Sequence, residues 1–339
     1  MSVNWHEIYV DLDESPHLPE CWKATGGVYA LGVFDGVHLG HQAVFKQTLQ
    51  IAESLGVWAG VFSFSTHPKA YFNAKPLKNL LATPEEKQSL CLSFGLNVLV
   101  MPPFNDTFRM MKAEDFIQVL MKETLRAVHL VVGHDFHFGF QRQGNAQWLL
   151  ENAESLGIGV TVVEPFAQAE DGVSQDESLP ISSTWIRHCL AKGQVQEAHR
   201  LMGRPYSIQG KTFAGRQKGR LLGFPTLNIH PTHPQKMIPK TGVYVTATLT
   251  AGRWWQSITH IGTAPTVNGD VDTPPWLESH LLEAFPHTDW VEESATVLFY
   301  ESIRPEMRFE SLEALAKQIE LDVASARRWH HAHHAGVLA

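Results

Sequence analysis

Cysteine is scarce in this 339-residue chain, in which only Cys21, Cys91 and Cys189 occur. Their odd number and wide separation exclude a disulfide framework and a cysteine-rich zinc site, and they indicate reduced thiols. No apolar run approaches the ~18 residues that a membrane-spanning helix needs. The N-terminus also lacks the basic and apolar regions of a signal peptide. We therefore expect a cytoplasmic protein with no membrane partner.

Basic residues are too few and too dispersed for a nucleic-acid-binding surface. The chain has 27 Lys and Arg against 35 Asp and Glu, a net charge of -8. Because binding of a phosphate backbone needs a basic face, we expect no nucleic-acid partner. No GxxxxGK[ST] segment occurs, which argues against a P-loop enzyme. An acidic protein can still bind one nucleotide through backbone N–H groups, a few cations and Mg²⁺.

The hydrophobic pattern changes its period near Gly203, and the length suggests two domains at ~150 residues each. Before that point, short apolar runs such as VWAGVFSFS and AVHLVVG alternate with helical patterns. This alternation predicts a doubly wound, Rossmann-like α/β domain over residues 1–203. Beyond it, four strand-like runs between Gly and Pro turns predict a small antiparallel β-barrel with a terminal helix over residues 204–339.

The segment GVFDGVHLGH, residues 32–41, lies where the first predicted strand turns into the first predicted helix. Ligands of open α/β sheets bind at that edge, and the helix N-terminus attracts an anion. His38 and His41 could donate hydrogen bonds to phosphate oxygens there. Taken alone, the segment could also be an ordinary glycine turn. The histidines could bind a metal, although no third ligand with suitable spacing is evident.

Four segments, in order, resemble the motifs of one family. GVFDGVHLGH is similar to the motif of the HxGH nucleotidylyltransferase superfamily. The segments FSFSTHP (62–68), VVGHDFHFGFQRQGN (131–145) and ISSTWIR (181–187) resemble those of the bacterial bifunctional riboflavin kinase/FAD synthetases. GRLLGFPTLN (219–228) and LESHL (277–281) resemble the kinase motifs of that same family. The resemblance covers roughly residues 25–330.

For the first half, the resemblance implies transfer of AMP from ATP to the phosphate of FMN, with release of pyrophosphate. His38 and His41 would stabilise charge on the phosphates, and Arg187 would hold the leaving pyrophosphate. The implied ATP-binding residues are Gly32, Phe34, Asp35, Gly36, Gly40, Ser182, Ser183 and Thr184. The implied flavin-binding residues are His67, Asp135 and Phe138. Asp35 and Asp135 could order the loop, hold Mg²⁺ through water or be ordinary turn residues, and Phe138 could belong to the core.

For the second half, the resemblance implies phosphorylation of riboflavin to FMN. Thr226 and Asn228 are the implied Mg²⁺ ligands, and Glu278 is the implied base for the ribityl hydroxyl. Gly219 belongs to the implied ATP-binding loop and Arg304 to the flavin side. The implied partners are thus riboflavin, FMN and ATP, with Mg²⁺ as the cofactor. The sequence leaves the oligomeric state open, a homo-oligomer included.

The second half departs from the family pattern in two loops. HIGTAPT (260–266) has His260 where the family usually has Asn, and FPHTDW (285–290) stands where a Tyr-Gly is usual. These departures leave open a monofunctional FAD synthetase whose barrel is a degenerate, flavin-binding module. A flavin-sensing regulator and nucleotidyl transfer to a different phosphate are further alternatives. The intact HxGH motif argues against the regulator, and the GxDFxFG segment with the attached barrel argues against another acceptor.

Overall fold

The computed structural model describes residues 24–66, 68, 71, 79–165, 180–214, 219, 222–262, 275–283 and 292–333. The chain divides into two compact units, Met1–Ser183 and Thr184–Ala339. This division precedes the predicted boundary at Gly203, because two helices just before Gly203 group with the second unit. The functional boundary between 203 and 204 therefore stays a prediction.

The first unit contains a five-stranded sheet in the order β3-β2-β1-β4-β7, and all neighbouring strands are parallel. The strands are β1 (Gly27–Leu31), β2 (Trp58–Phe62), β3 (Val98–Val100), β4 (Ala127–Gly133) and β7 (Gly159–Val163). A separate two-stranded ribbon pairs β5 (His137–Phe138) with β6 (Gly144–Asn145). The apolar runs thus form a sheet that is covered on both faces, which confirms the predicted α/β fold.

Helices connect these strands and cover the sheet. They are α1 (Leu39–Leu55), α2 (Pro84–Ser93), α3 (Asp106–Met110), the short α4 (Ala113–Asp115), a π-helix (Phe116–Thr124) and α5 (Ala146–Leu156). Successive residues of β1 point to opposite faces of the sheet. Tyr29 and Leu31 consequently join one buried cluster, while Val28 and Ala30 join the other. The central strand is therefore fixed from both sides, and the loop that follows it starts from a rigid position.

The second unit is a closed barrel of six strands in the order β10-β11-β12-β9-β8-β13, with antiparallel neighbours throughout. The strands are β8 (Tyr206–Phe213), β9 (Leu227–Pro231), β10 (Gly242–Thr250), β11 (Arg253–Gly262), β12 (Trp276–Leu281) and β13 (Ser294–Pro305). Helices α6 (Ser183–Lys192) and α7 (Val195–Met202) precede the barrel, and α8 (Leu312–Ala332) follows it. The predicted barrel and terminal helix are confirmed, with two strands, β9 and β12, beyond the four predicted.

The barrel contains a cluster of buried hydroxyls and makes an apolar contact with the terminal helix. Five buried hydroxyls form a hydrogen-bonded network between β10, β11 and β12: Thr246, Thr248, Ser257, Thr259 and Ser279. On the opposite face of β10, Val243, Val245 and Ala247 pack in a cluster that includes Ala326 of α8. None of the helices in the described ranges is long and apolar enough to cross a membrane.

Candidate active sites

The loop after β1 has a strained backbone. Phe34 and Val37 have positive φ angles of 49° and 41°, and Gly36 has φ 85°. Such angles in side-chain-bearing residues cost about 1–3 kcal/mol each and persist only where the surroundings hold them. At Gly36 a Cβ would lie 2.9 Å from the Cβ of Leu81, so glycine is also needed for close packing. The loop is therefore held in one conformation by its neighbours.

His38 and His41 lie together at the N-terminus of α1. His38 is the N-cap of the helix, and its Nδ1 accepts a hydrogen bond from the backbone N–H of His41 at 3.4 Å. The two rings stack with centroids 3.6 Å apart and an interplanar angle of 20°. At Gly40 a Cβ would lie 3.2 Å from the His38 ring, so glycine lets this ring approach the backbone. The strained loop and the helix N-terminus thus bring the two predicted histidines to one place.

Asp35 is buried and fastens the loop to the segment before α2. Its Oδ1 accepts hydrogen bonds from the N–H groups of Leu81 and Ala82, at 3.0 and 3.1 Å. Its backbone oxygen accepts a bond from Ser183 Oγ at 2.9 Å. These contacts are those of a loop-ordering residue, the alternative that the sequence had left open. This bond joins Ser183, the last residue of the first unit, to the GVFDGVHLGH loop.

Lys87, on α2, is 5% exposed and lies beneath the same loop. Its Nζ donates to the backbone oxygen of Val33 at 2.9 Å, to Ser63 Oγ at 3.1 Å and to the backbone oxygen of Phe64 at 3.1 Å. Burial lowers the pKa of Lys87 to about 8, against an opposing attraction from Asp35. The ammonium therefore remains mainly protonated at pH 7, with three oxygen acceptors.

The other predicted residues of the first half are placed as follows. Asp135 is exposed in the turn after β4, and Phe138 is buried in β5. Phe138 packs against Phe116 and Trp148, with ring centroids 5.3 and 5.7 Å away, so it contributes to the core. Gly32 and Phe34 lie in the loop after β1, where Phe34 is buried. His67 lies outside the described residues.

The hydroxyl-rich segment ISSTWIR forms the start of α6. The helix begins at Ser183, so Thr184 lies inside its first turn. Ile186, Cys189 and Leu190 form its buried face. Arg187 is half-buried on this helix. Thr184 and Arg187 group with the second unit, whereas Ser182 and Ser183 group with the first.

In the barrel, three polar residues align across adjacent strands. Glu278 of β12 pairs in register with Asn228 of β9 on one side and with His260 of β11 on the other. All three are half-buried, while their strand neighbours Leu277 and Ser279 point into the barrel. The barrel therefore presents an amide, a carboxylate and an imidazole in one row on its outer face.

One hydrogen bond orients the Glu278 carboxylate, and an imidazole lies on its other side. Its Oε1 accepts a hydrogen bond from Trp276 Nε1 at 3.0 Å, and its Oε2 lies 4.0 Å from His260 Nδ1. Burial lowers the pKa of His260, while the charges of Glu278 and Glu306 act in the opposite direction. The carboxylate of Glu278 is thus oriented by an indole and faces an imidazole that is neutral at pH 7.

Thr226 is half-buried two residues before Asn228, and Gly219 lies close to the same turn. The N–H groups of Leu222 and Phe224 both donate to the Gly219 oxygen, at 3.1 and 2.8 Å. A Cβ on Gly219 would lie 2.4 Å from the Phe224 oxygen, so this tight turn requires glycine. The predicted Gly219 and Thr226 therefore belong to one compact turn. Residues 263–274 and 284–291, which include most of the two departing loops, lie outside the described ranges.

Arg304 has a structural partner. Its Nε donates to both carboxylate oxygens of Asp322, at 3.1 and 2.9 Å, and its side chain is 15% exposed. Gln318 also donates to Asp322. The pair ties β13 to α8, and a flavin-binding role for Arg304 stays a prediction.

Within the described residues, no three His, Cys, Asp or Glu side chains are grouped so as to hold a metal ion. A metal site made by Thr226, Asn228 and nucleotide phosphates is of a different kind, because its protein donors are a hydroxyl and an amide oxygen. Such hard oxygen donors suit Mg²⁺, which keeps several waters and binds substrate phosphates. The row of Asn228 and Glu278 supplies oxygen donors on adjacent strands and fits this ion.

Sequence patterns did not indicate the roles of Lys87, Ser63, Trp276 and Asp322. Lysine or aspartate in a helix usually faces solvent, and no neighbouring residue marks Asp322 as different. The one available signal was Thr83-Pro-Glu-Glu86, a capping box that fixes where α2 begins and hence which way Lys87 points.

Two family models match the chain, one in each half. The model described as FAD synthetase matches residues 21–177, and the model described as riboflavin kinase matches residues 202–330. A crystal structure named as a macrolide-efflux protein from Streptococcus pneumoniae has a TM-score of 0.79 at 26% identity. The match covers 90% of this chain and 95% of that one.

Similar proteins of known name cover both halves together. One from Pseudomonas fluorescens, named bifunctional riboflavin kinase/FMN adenylyltransferase, is 35% identical over 89% of this chain and 92% of its own length. One of the same name from Listeria monocytogenes is 32% identical over 92% of this chain and 95% of its own length. The chain therefore belongs to the bifunctional riboflavin kinase/FMN adenylyltransferase family.

Proposed function

We propose that this chain makes FAD from riboflavin in two steps, each at its own site. The barrel transfers the γ-phosphoryl group of ATP to riboflavin and gives FMN. The α/β unit then transfers AMP from a second ATP to FMN and releases pyrophosphate. The observation that carries this proposal is that relatives named for both activities align with nearly the whole chain. Because both domain models match, the comparisons support this function rather than a monofunctional FAD synthetase.

In the adenylyl transfer, the FMN phosphate is already ionised and attacks the α-phosphorus of ATP directly. The enzyme then contributes mainly positioning and charge stabilisation. We assign charge stabilisation to His38 and His41, whose stacked rings lie at the N-terminus of α1. The positive end of the helix dipole adds to the attraction for phosphate. Arg187, with Ser182, Ser183 and Thr184, is the proposed group for the leaving pyrophosphate.

In the phosphoryl transfer, the ribityl hydroxyl of riboflavin must lose a proton as the new P–O bond forms. We propose that the Glu278 carboxylate, which the Trp276 N–H orients, accepts this proton. Asn228 and Thr226 would hold Mg²⁺ beside it, and the ion would neutralise charge on the ATP phosphates. The neighbouring His260 replaces an amide with a neutral imidazole, so this site keeps no extra positive charge at pH 7.

We further propose that Asp135 and His67 contribute to the flavin side of the first site and Arg304 to that of the second. We expect no nucleic-acid partner, since acidic residues exceed basic ones over the chain. A cytoplasmic location agrees with the free, buried state of Cys91 and Cys189. The oligomeric state, including a homo-oligomer, is a question for sedimentation or light scattering.

Two variants test the assignment of activities to sites. Glu278→Gln keeps the size and the hydrogen-bond acceptor but removes the base, so riboflavin phosphorylation should fall by about 10²–10⁴ while supplied FMN is still adenylylated. His41→Ala should instead reduce adenylylation about 10²–10³-fold and leave riboflavin phosphorylation unchanged. Each variant thus serves as the folding control for the other. Equal loss of both activities in either variant, or loss of neither, would contradict the two-site assignment.

A further inference from the structure

Lys87 connects the two loops that follow the central strands of the first unit. Val33 belongs to the loop after β1, which carries His38, and Phe64 belongs to the loop after β2. The Lys87 ammonium bonds the backbone oxygens of both, and Ser63 Oγ donates to the Val33 oxygen at 2.9 Å. A single side chain thereby links the carboxyl ends of two adjacent strands.

The geometry of this contact uses the full capacity of an ammonium group. An ammonium has three N–H donors, and here three oxygens lie within 3.1 Å of Nζ. All three hydrogen-bond acceptors are neutral. The charge of Asp35 attracts the ammonium and offsets part of the cost of burial, whereas the nearby Cys91 thiol, whose pKa burial raises to about 12, provides no counter-charge. Holding a cation at such a place opposes folding, because burial disfavours its charged form. An uncharged side chain could join the same two loops without the free-energy cost of burying a charge.

The strained loop explains what the contact accomplishes. Phe34 and Val37 have positive φ angles, and a strained loop relaxes unless several independent contacts fix it. Lys87 fixes Val33 just before the strained residues. The Leu81 and Ala82 N–H groups fix Asp35 within the loop. The segment 81–87 therefore holds the loop at two points, immediately before the residues that place His38 and His41.

We propose that Lys87 is a positioning residue for adenylyl transfer, which holds the loop after β1 against the loop after β2 so that His38 and His41 are aligned with the ATP phosphates. This inference rests on the proposed function of the first unit. Lys87 does not contact the substrate in this account; it acts through the backbone at Val33 and Phe64. Because a misplacement of about 1 Å can cost roughly a hundredfold in rate, a modest shift of the loop would be measurable.

The test compares Lys87→Met, Lys87→Gln and Lys46→Met in the full chain, with supplied FMN and Mg·ATP. Met matches the length of the lysine stem without donors, and Gln keeps two N–H donors without the charge. Lys46 is an exposed lysine on α1 and provides the matched control. Riboflavin phosphorylation by the same chain reports the concentration of active protein. The assays are run well below the melting temperature of each variant.

We expect kcat for adenylylation to fall roughly tenfold to a hundredfold in Lys87→Met. Lys87→Gln should lie between Lys87→Met and the parent, and Lys46→Met should match the parent. Phosphorylation should be unchanged in all three variants. Adenylylation within twofold of the parent in both Lys87 variants would overturn the inference. So would a loss that follows unfolding in both, since Lys87 would then only stabilise the unit. Failure of the parent chain to adenylylate FMN would instead overturn the proposed function.

Discussion

Lys87 should make the first unit more stable as the pH rises above neutral. Burial lowers its pKa in the folded chain from an ordinary 10.5 to about 8. Between these two values the unfolded chain binds more protons than the folded chain, so stability increases with pH across that window. Below about pH 8 Lys87 is protonated in both the folded and the unfolded chain, so the whole cost of burying its charge opposes folding. A shift of about 2.5 pH units corresponds to ~3.4 kcal/mol, at ~1.36 kcal/mol per unit.

The Lys87→Met variant isolates this contribution, because the other titrating groups are common to both proteins. Integrating the linkage between pH 7 and ~9.5, the parent should gain about 2 kcal/mol in free energy of unfolding relative to the variant. Urea unfolding of both proteins at several pH values, followed by tryptophan fluorescence, provides the measurement. If the difference between parent and variant stayed constant over this range, the ammonium would not be desolvated as the structure shows.

Three further predictions concern the barrel. Asp322→Asn leaves the Arg304 guanidinium without its counter-charge, so the free energy of unfolding of the second unit should fall by about 3 kcal/mol. An unchanged midpoint of urea unfolding would contradict this prediction. Trp276→Phe removes the hydrogen bond to Glu278, so kcat for riboflavin phosphorylation should fall about tenfold while adenylylation is unchanged. A variant that phosphorylates riboflavin as fast as the parent would show that this bond has no catalytic effect. Burial lowers the pKa of His260 below its ordinary ~6.5, so the ratio of parent to His260→Asn phosphorylation rates should be constant above about pH 7 and fall in more acidic buffer. A ratio that changes between pH 7 and about 8 would place the pKa of His260 higher than the structure does.

The sheet of the first unit could be predicted because each of its signals is local. Apolar runs such as VWAGVFSFS and AVHLVVG correspond to β2 and β4, and Gly56, a residue type that often ends helices, terminates α1 with φ 64°. The pattern was less reliable at helix ends. The spacing of apolar residues alone places Leu55 and Leu312 on apolar helix faces, but they are 53% and 64% exposed, because the terminal turns extend past the core on which the helices pack.

Two barrel strands were missed for a related reason. β9 and β12 are short, and their outward-facing positions are polar, with Asn228 on one and Glu278 on the other. Alternating polar residues in a five- or six-residue run give a weak strand signal. These polar positions are also the ones proposed to act on substrate, so function itself weakens the pattern that would have revealed the strands.

The motif residues of both sites were predicted, whereas the residues that hold them were not. His38 and His41 were predicted from the four-residue motif HLGH. Lys87 contacts Val33, 54 residues earlier, and Arg304 contacts Asp322 across 18 residues. Such partners depend on how strands and helices pack, and the sequence shows only an ordinary lysine and an ordinary aspartate. The residues that position a site from a distant part of the sequence were therefore identified only from the structure.

A time course of flavin products tests the central claim most directly, namely that one chain carries out both reactions. The purified parent protein is incubated with riboflavin and Mg·ATP, and flavins are separated by chromatography. We predict that riboflavin declines, that FMN appears first, and that FAD follows with release of pyrophosphate. Unchanged riboflavin, with supplied FMN still converted to FAD, would contradict the kinase half of the account. FMN that accumulates without any FAD would contradict the adenylyl-transfer half.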